Sequence, residues 1–299
     1  GGVDVHIPPV TSNLTEAQCN TFEGILSRGL TISHLNVRSL RNKVDQISLY
    51  LSSNPIDIFS MSETWLGENV SLNLAIHGYF LERKDRNYQG GGVGCYIKSA
   101  VSYVRRKDLE LSDLEVMWIE IKAPNSKPWL VGIVYRSPNS SADFFSKFER
   151  NIEHVIGISN NFILIGDFNC NVLTANPLHA KLQSLCSIFN LQQLIQGPTR
   201  VTVNSSSCID LVFVPKQQSD LNSGKISMGL SDHSLVYVNF KKMRVLCKPS
   251  VCRFRSFRKF NALEFVKEGE ALFGSNFYET CEVNYLWNFL KESFIKLCD

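Results

Sequence analysis

The sequence predicts an α/β (α+β) protein in which two packed β-sheets are flanked by helices. Two observations carry this. Short apolar runs, alternating or continuous and bounded by turn residues, recur between residues 30 and 240. Only a few stretches with helical spacing separate them, and many strands with few helices suit a layered sheet architecture.

Residues 30–37 alternate as a strand and deliver Asn36 and Arg38 near its end. Ser39 reads as the N-cap of a helix to about Leu51, with Leu40, Val44, Ile47 and Leu51 as its stripe and Pro55 closing the connection. Residues 56–62 form the next strand, with Glu63-Thr64-Trp65 at its terminus. A polar stretch carrying Arg83-Lys84-Asp85-Arg86 leads to Gly90-Gly91-Gly92, which opens a strand over 93–97 in a hairpin with 101–104. Residues 115–122 and 129–135 alternate on either side of a Pro124-Asn125-Ser126 turn and pair with each other.

Ser140 or Ser141 caps a helix to about Ile156, whose face carries Phe144, Phe145, Phe148, Ile152 and Val155. A core strand over 161–165 then climbs into Gly166 and presents Asp167 and Asn169, with Phe168 pointing the other way by alternation. Residues 177–189 are helical, with Leu178, Leu182, Leu185 and Ile188 as the stripe. A strand over 208–214 contains Asp210, a short piece covers 225–228, and Ser231-Asp232-His233 precedes the last strand at 235–240. From Lys241 the chain turns basic, and helical patterns follow over 263–273 and 285–297. The expected organisation is a loosely tethered lead-in at 1–28, a main domain at 29–242 and a basic, then helical segment at 243–299.

With 299 residues, 44% hydrophobic and a net charge of +3, the chain neither demands nor excludes a nucleic-acid partner. Its nine cysteines include no Cys-x-x-Cys pair, which argues for reduced thiols in a cytosolic or nuclear protein and against a zinc site. No apolar run approaches the roughly 20 residues of a membrane span, and no secretory leader is expected.

Asn36, Glu63, Tyr135, Asp167, Asn169, Asp210, Asp232 and His233 all fall at or near strand ends. Each has an ordinary explanation as a turn, a solvated carboxylate or a surface histidine; their recurrence at strand ends argues for one site. Phosphodiester hydrolysis uses such a set. Oxygen donors such as Glu63 and Asn36 suit Mg²⁺ (or Mn²⁺) better than zinc. A histidine held by a carboxylate suits proton transfer or phosphate binding. Asp167 is placed to orient or deprotonate water, and Asn169 and Tyr135 to donate to phosphate oxygens.

These segments resemble the endonuclease/exonuclease/phosphatase superfamily, which includes DNase I and the apurinic/apyrimidinic endonucleases. The likeness rests on His34-Leu-Asn-Val-Arg-Ser-Leu, Ser62-Glu-Thr-Trp, Val134-Tyr-Arg-Ser-Pro-Asn, Ile165-Gly-Asp-Phe-Asn, Cys208-Ile-Asp-Leu-Val and Leu230-Ser-Asp-His-Ser, in the family's order. Asn-Val-Arg-Ser-Leu, Ser-Glu-Thr-Trp-Leu, Arg83-Lys-Asp-Arg with Gly-Gly-Gly-Val, and Tyr-Arg-Ser-Pro-Asn resemble the endonuclease domain of a non-LTR retrotransposon.

The resemblance implies a DNase I-like four-layered α/β sandwich of two mostly antiparallel sheets. It implies a Mg²⁺-dependent nick in double-stranded DNA that leaves a 3′-hydroxyl primer for target-primed reverse transcription. The site of action would be nuclear after cytoplasmic synthesis, and the chain a monomeric fragment of a polyprotein whose reverse transcriptase domain follows, with no membrane attachment. By the same analogy Glu63 is the principal metal ligand with Asn36 beside it, Asp167 positions the water, Asn169 and Tyr135 contact phosphate, Asp210 orients His233 or helps hold the metal region, and Asp232 supports His233. Arg38, Arg41, Arg83, Arg86, Arg136, Thr199 and Arg200 are the expected DNA-binding residues. Arg38 stands where many repair members carry an aspartate, which argues against abasic-site repair, and because the Tyr135–Asn139 spacing is one residue longer than in repair relatives, Asn139 is not carried over. The alternatives are a phosphatase of the same superfamily acting on inositol phosphates or nucleotides, and an inactive binding module.

Overall fold

The computed structural model describes residues 29–54, 56–67, 73–122, 128–241, 243, 261–272 and 283–298. The chain divides into two compact units, Gly1–Pro249 and Ser250–Asp299. In the second unit, α4 (Ala262–Leu272) and α5 (Val283–Cys298) occupy the two expected helical stretches. The lead-in at 1–28 and most of the basic stretch after Lys241 lie outside the described residues.

The first unit opens with β1 (Leu30–Asn36), α1 (Val44–Ser53), β2 (Ile58–Ser62), β3 (Tyr79–Lys84) and β4 (Val93–Lys98). There follow β5 (Tyr103–Arg105), β6 (Glu115–Ile121), β7 (Trp129–Tyr135), α2 (Phe144–Ile158), β8 (Phe162–Asp167) and α3 (Pro177–Ile188). The remaining strands are β9 (Leu191–Gln193), β10 (Arg200–Val201), β11 (Ser206–Ser207), β12 (Asp210–Pro215), β13 (Leu221–Ile226) and β14 (Leu235–Phe240). They form two six-stranded sheets, ordered β13-β14-β1-β2-β4-β3 and β5-β6-β7-β8-β12-β9, and a two-stranded β10-β11 ribbon.

Both sheets are mostly antiparallel, each with one parallel pair in the middle: β1 beside β2, joined through α1, and β7 beside β8, joined through α2. A parallel pair needs such a crossover, and its two strands point their C-terminal ends the same way. Those ends carry Asn36 with the residues after Ser62, and Tyr135 with Asp167. Open sheets collect ligands outside the carboxyl ends of their strands where the connections diverge, and both halves of the site are delivered there.

Alternation assigns the two faces of the first sheet. Leu30, Ile32 and Ile58 join the core shared with Val131, Ile163 and Val212 of the second sheet, while Leu35, Phe59 and Met61 pack with Ile47 and Leu51 of α1. Phe148, Ile152 and Val155 of α2 cover the second sheet. Full burial of a ring such as Phe148 stabilises by about 2–3 kcal/mol. The four-layered expectation is met.

Gly166 sets the spacing beneath the site. A Cβ there would collide with the carbonyl of Val134, its register partner on β7. Gly166→Ala should therefore cost at least about 2 kcal/mol, read as a fall in the urea midpoint at unchanged slope.

Local readings fail in several places: β3 falls within the stretch read as polar, and β13 spans Leu221–Ile226 where only 225–228 was read. Ser39 caps nothing: α1 starts at Val44 after Lys43, because the amides of Val37, Ser39 and Leu40 pair with the carbonyls of Ser62, Glu63 and Thr64. The 93–97 and 101–104 strands form no hairpin, since β4 lies between β2 and β3 whereas β5 crosses to pair with β6 in the other sheet. Neither Ser140 nor Ser141 caps α2, which begins after Asp143; Ser141 Oγ instead bonds the Asp143 carboxylate.

Candidate active site

The parallel pairing of β1 and β2 continues past their ends and holds Glu63 in a left-handed conformation, φ 52°. Such strain in a non-glycine residue collects at functional sites. Three donors converge on its carboxylate. Asn36 Nδ2 and Tyr135 Oη reach Oε1, each at 3.0 Å, and Trp65 Nε1 reaches Oε2 at 3.2 Å. Asn36 Nδ2 also donates to Asp167 Oδ2 at 2.8 Å, so one buried amide bridges carboxylates from the two sheets. The Asn36 oxygen accepts from the Arg38 amide at 3.1 Å.

Asp167 pairs in register with Asp210 of β12. Burial, and then the Asp210 carboxylate, push Asp167 up to about 7. Asp210 is fully buried and receives His233 Nδ1 at 3.0 and 2.9 Å. Burial opposes a charged ring at His233, but the Asp210 bond and charge outweigh it and hold the histidine above its ordinary value. Ligand atoms of Asp167, Asp210 and His233 lie within 4.8 Å of one another, a buried acidic–histidine cluster. With Nδ1 on Asp210, the trio reads as a hydrogen-bonded dyad beside a second carboxylate rather than a ready cation cage.

Asn169 reaches the site differently from the expected strand alternation. The strand stops at Asp167, Phe168 is fully buried, and Asn169 turns left-handed at φ 46°. Its amide nitrogen donates to Asp167 Oδ1 at 2.9 Å and its Nδ2 to the Arg136 carbonyl at 2.8 Å, so it braces Asp167. Asp232 does not support His233 by a hydrogen bond, because its carboxylate faces Arg38 Nη1 at 3.1 Å and Arg200 Nε at 2.8 Å. Burial would raise Asp232, yet the two guanidiniums hold it down at about 2.

Two residues expected on a DNA face are interior. Thr199 is fully buried; its hydroxyl donates to Asp210 Oδ2 at 2.7 Å and accepts the amides of Ile209 and Asp210. Arg136 is 5% exposed, its guanidinium 5.7 Å from the centroids of Phe144 and Phe145. Arg83 pairs with Asp85, Arg41 lies over Tyr88, and Arg86 bonds Glu115. Three contributors escaped the sequence reading. Ser231 Oγ donates to the Asn36 carbonyl at 2.7 Å and receives the His233 amide; Trp65 holds Glu63; and buried His34 sits between the Ser60 and Ser62 hydroxyls, kept neutral by burial, which lowers it to about 4. All three stand inside quoted motifs, which was the available signal.

The sequence profile of the endonuclease/exonuclease/phosphatase family matches residues 33–233, a span that contains every residue of this network. The chain belongs to that family. Its members hydrolyse phosphoesters. Among solved structures, the endonuclease domain of TRAS1, a telomere-specific non-LTR retrotransposon, superposes with a TM-score of 0.59 at 13% identity, covering 71% of this chain and 98% of that one. The 3′–5′ exonuclease NExo from Neisseria meningitidis gives 0.56 at 17%, covering 71% and 100%. The catalytic domain of Xenopus laevis APE2 gives 0.51 at 14%, covering 75% and 94%. A comparison with curated protein sequences returns no match. Among the described residues no helix is long and apolar enough to cross a membrane.

Proposed function

We propose that this chain is a Mg²⁺-dependent endonuclease that nicks double-stranded DNA, of the kind that begins a non-LTR retrotransposon polyprotein. The observation that carries the reading is the meeting of two hydrogen-bonded groups, Glu63–Asn36–Asp167 and the Asp210–His233 dyad, at Asp167 and Asp210, which stand opposite each other in register. The likeness to the TRAS1 endonuclease domain supports the retrotransposon assignment. Glu63 offers carboxylate oxygens, with the Tyr135 hydroxyl on it and the Asn36 side chain, which also carries an oxygen, beside it; oxygen donors fit a hard divalent cation. Glu63 would be its principal ligand, with Asn36 beside it. A cation held there would supply polarisation of the scissile phosphate and offset charge on the leaving oxygen.

The rest is done by side chains. Asp167, ionised and braced by Asn36 and Asn169, accepts a proton from the attacking water. His233, charged and oriented by Asp210, donates to a phosphate oxygen. Tyr135 fixes Glu63, and Arg38 and Arg200, spread by Asp232, meet neighbouring phosphates. The nick leaves a 3′-hydroxyl for a reverse transcriptase domain of the same polyprotein, in the nucleus after cytoplasmic synthesis, and the fragment acts as a monomer.

The test is supercoiled plasmid with Mg²⁺. Conversion to nicked circles, abolished by chelation and weakening steeply with salt as counterion release requires, is expected. Intact plasmid with phosphate released from inositol phosphates or nucleotides would instead assign a phosphatase; neither activity would leave a binding module.

A further inference from the structure

The proposed endonuclease assigns no task to the Arg86–Glu115 ion pair or to the triple glycine beside it. Glu115 stands opposite Tyr135 in the β6–β7 register. Its Oε1 receives Arg86 Nη1 at 2.7 Å, and its Oε2 receives the Gly92 amide at 2.5 Å. Arg86 also donates from Nε to the Gly90 carbonyl at 2.9 Å, and its guanidinium lies 5.9 Å from the centre of the Tyr135 ring. The pair thus ties down both ends of Gly90-Gly91-Gly92.

That loop in turn holds the strand end bearing Glu63. The Gly91 carbonyl accepts the Trp65 amide at 3.1 Å, and the Gly92 carbonyl faces the Thr64 amide at 3.4 Å. The glycines are a consequence of this closeness. A Cβ at Gly91 would collide with the Arg86 guanidinium and the Glu115 carboxylate, one at Gly92 would meet Thr64 Oγ1, and both residues are left-handed, φ 69° and 85°. Two routes therefore converge on Glu63: backbone bonds through the glycine loop, and the Tyr135 hydroxyl beneath the Arg86 guanidinium.

We infer that Arg86 and Glu115 are positioning residues that set the Glu63 carboxylate for its cation, and that Arg86 does not serve as a DNA contact. The inference rests on the functional reading above. Outer contacts of this kind typically change metal affinity by about 10–100-fold.

The experiment measures Mn²⁺ binding by calorimetry without DNA, together with the kcat and KM of nicking, in the full chain and in Glu115→Gln, Arg86→Lys, Arg86→Ala and the double variant E115Q/R86A. Mn²⁺ affinity and kcat should each fall about tenfold or more in Glu115→Gln and Arg86→Ala. The double variant should be no worse than either single one, because the two act as a unit. Arg86→Lys should recover part of the loss, while KM for DNA and its salt slope stay at wild-type values. Unchanged Mn²⁺ affinity in Glu115→Gln, with only a lower melting temperature, would overturn the inference, as would an Arg86→Ala variant with intact kcat, raised KM and a salt slope reduced by about 1. Wild-type protein that binds no Mn²⁺ would overturn the functional reading and this inference together, so the two failures are distinguishable.

Discussion

Glu63→Gln should lower the kcat of nicking about 1000-fold while leaving the fold intact. The substitution keeps the shape but replaces the one carboxylate on which Asn36, Tyr135 and Trp65 converge. Loss of several kcal/mol of transition-state charge stabilisation, at about 1.4 kcal/mol per tenfold, gives that magnitude. The glutamine oxygen can still accept from Asn36 and Tyr135, so the melting temperature should move little. Nicking assayed against Mg²⁺ concentration, beside a thermal melt, checks both. A variant within tenfold of wild type at saturating Mg²⁺ would remove Glu63 from its assigned role.

Asp210→Asn comes next in size, with a loss of about 10²–10⁴-fold, the span of a misplaced proton-transfer group. Asp210 is the group that lifts His233 above its ordinary value against the cost of burial. If the charged imidazole is the active form, activity lies below the histidine's pKa, and raising that pKa extends activity upward in pH. Without the carboxylate the pKa falls, so the residual activity should show its high-pH limb at lower pH. The low-pH limb, set by ionisation of Asp167, should also move to lower pH, because the neighbouring Asp210 charge that raises Asp167 is gone. His233→Ala and the double variant should match Asp210→Asn rather than add to it. A pH–rate profile of identical shape in Asp210→Asn would show that the dyad does not titrate as described.

How much of this was legible beforehand depended on where the information sits. Glu63, Asp167 and His233 could be found because each ends or flanks an apolar run, and strand ends are where a layered fold exposes chemistry. The helices α1 and α2 were legible from their apolar stripes, while the parallel pairs they join were shown only by the fold. What failed was long-range. Ser39 has the right residue type for a cap, but its amide pairs with the Glu63 carbonyl, which no local pattern encodes. The missing hairpin is a crossing between sheets, invisible to alternation within either strand. Thr199 and Arg136 carry donors suited to phosphate, yet tertiary packing turns one onto Asp210 and the other beneath two phenylalanines. Asp232 could be placed beside His233 by sequence, but only the fold shows its carboxylate facing two arginines.

The measurement that bears most directly on the site is the anomalous-scattering map of a crystal grown in Mn²⁺. One strong peak roughly 2 Å from a Glu63 carboxylate oxygen, with the Asn36 amide turned to offer its oxygen and His233 still on Asp210, is the expected result. A peak seated among Asp167, Asp210 and His233 with none beside Glu63, or no peak at either place, would contradict it.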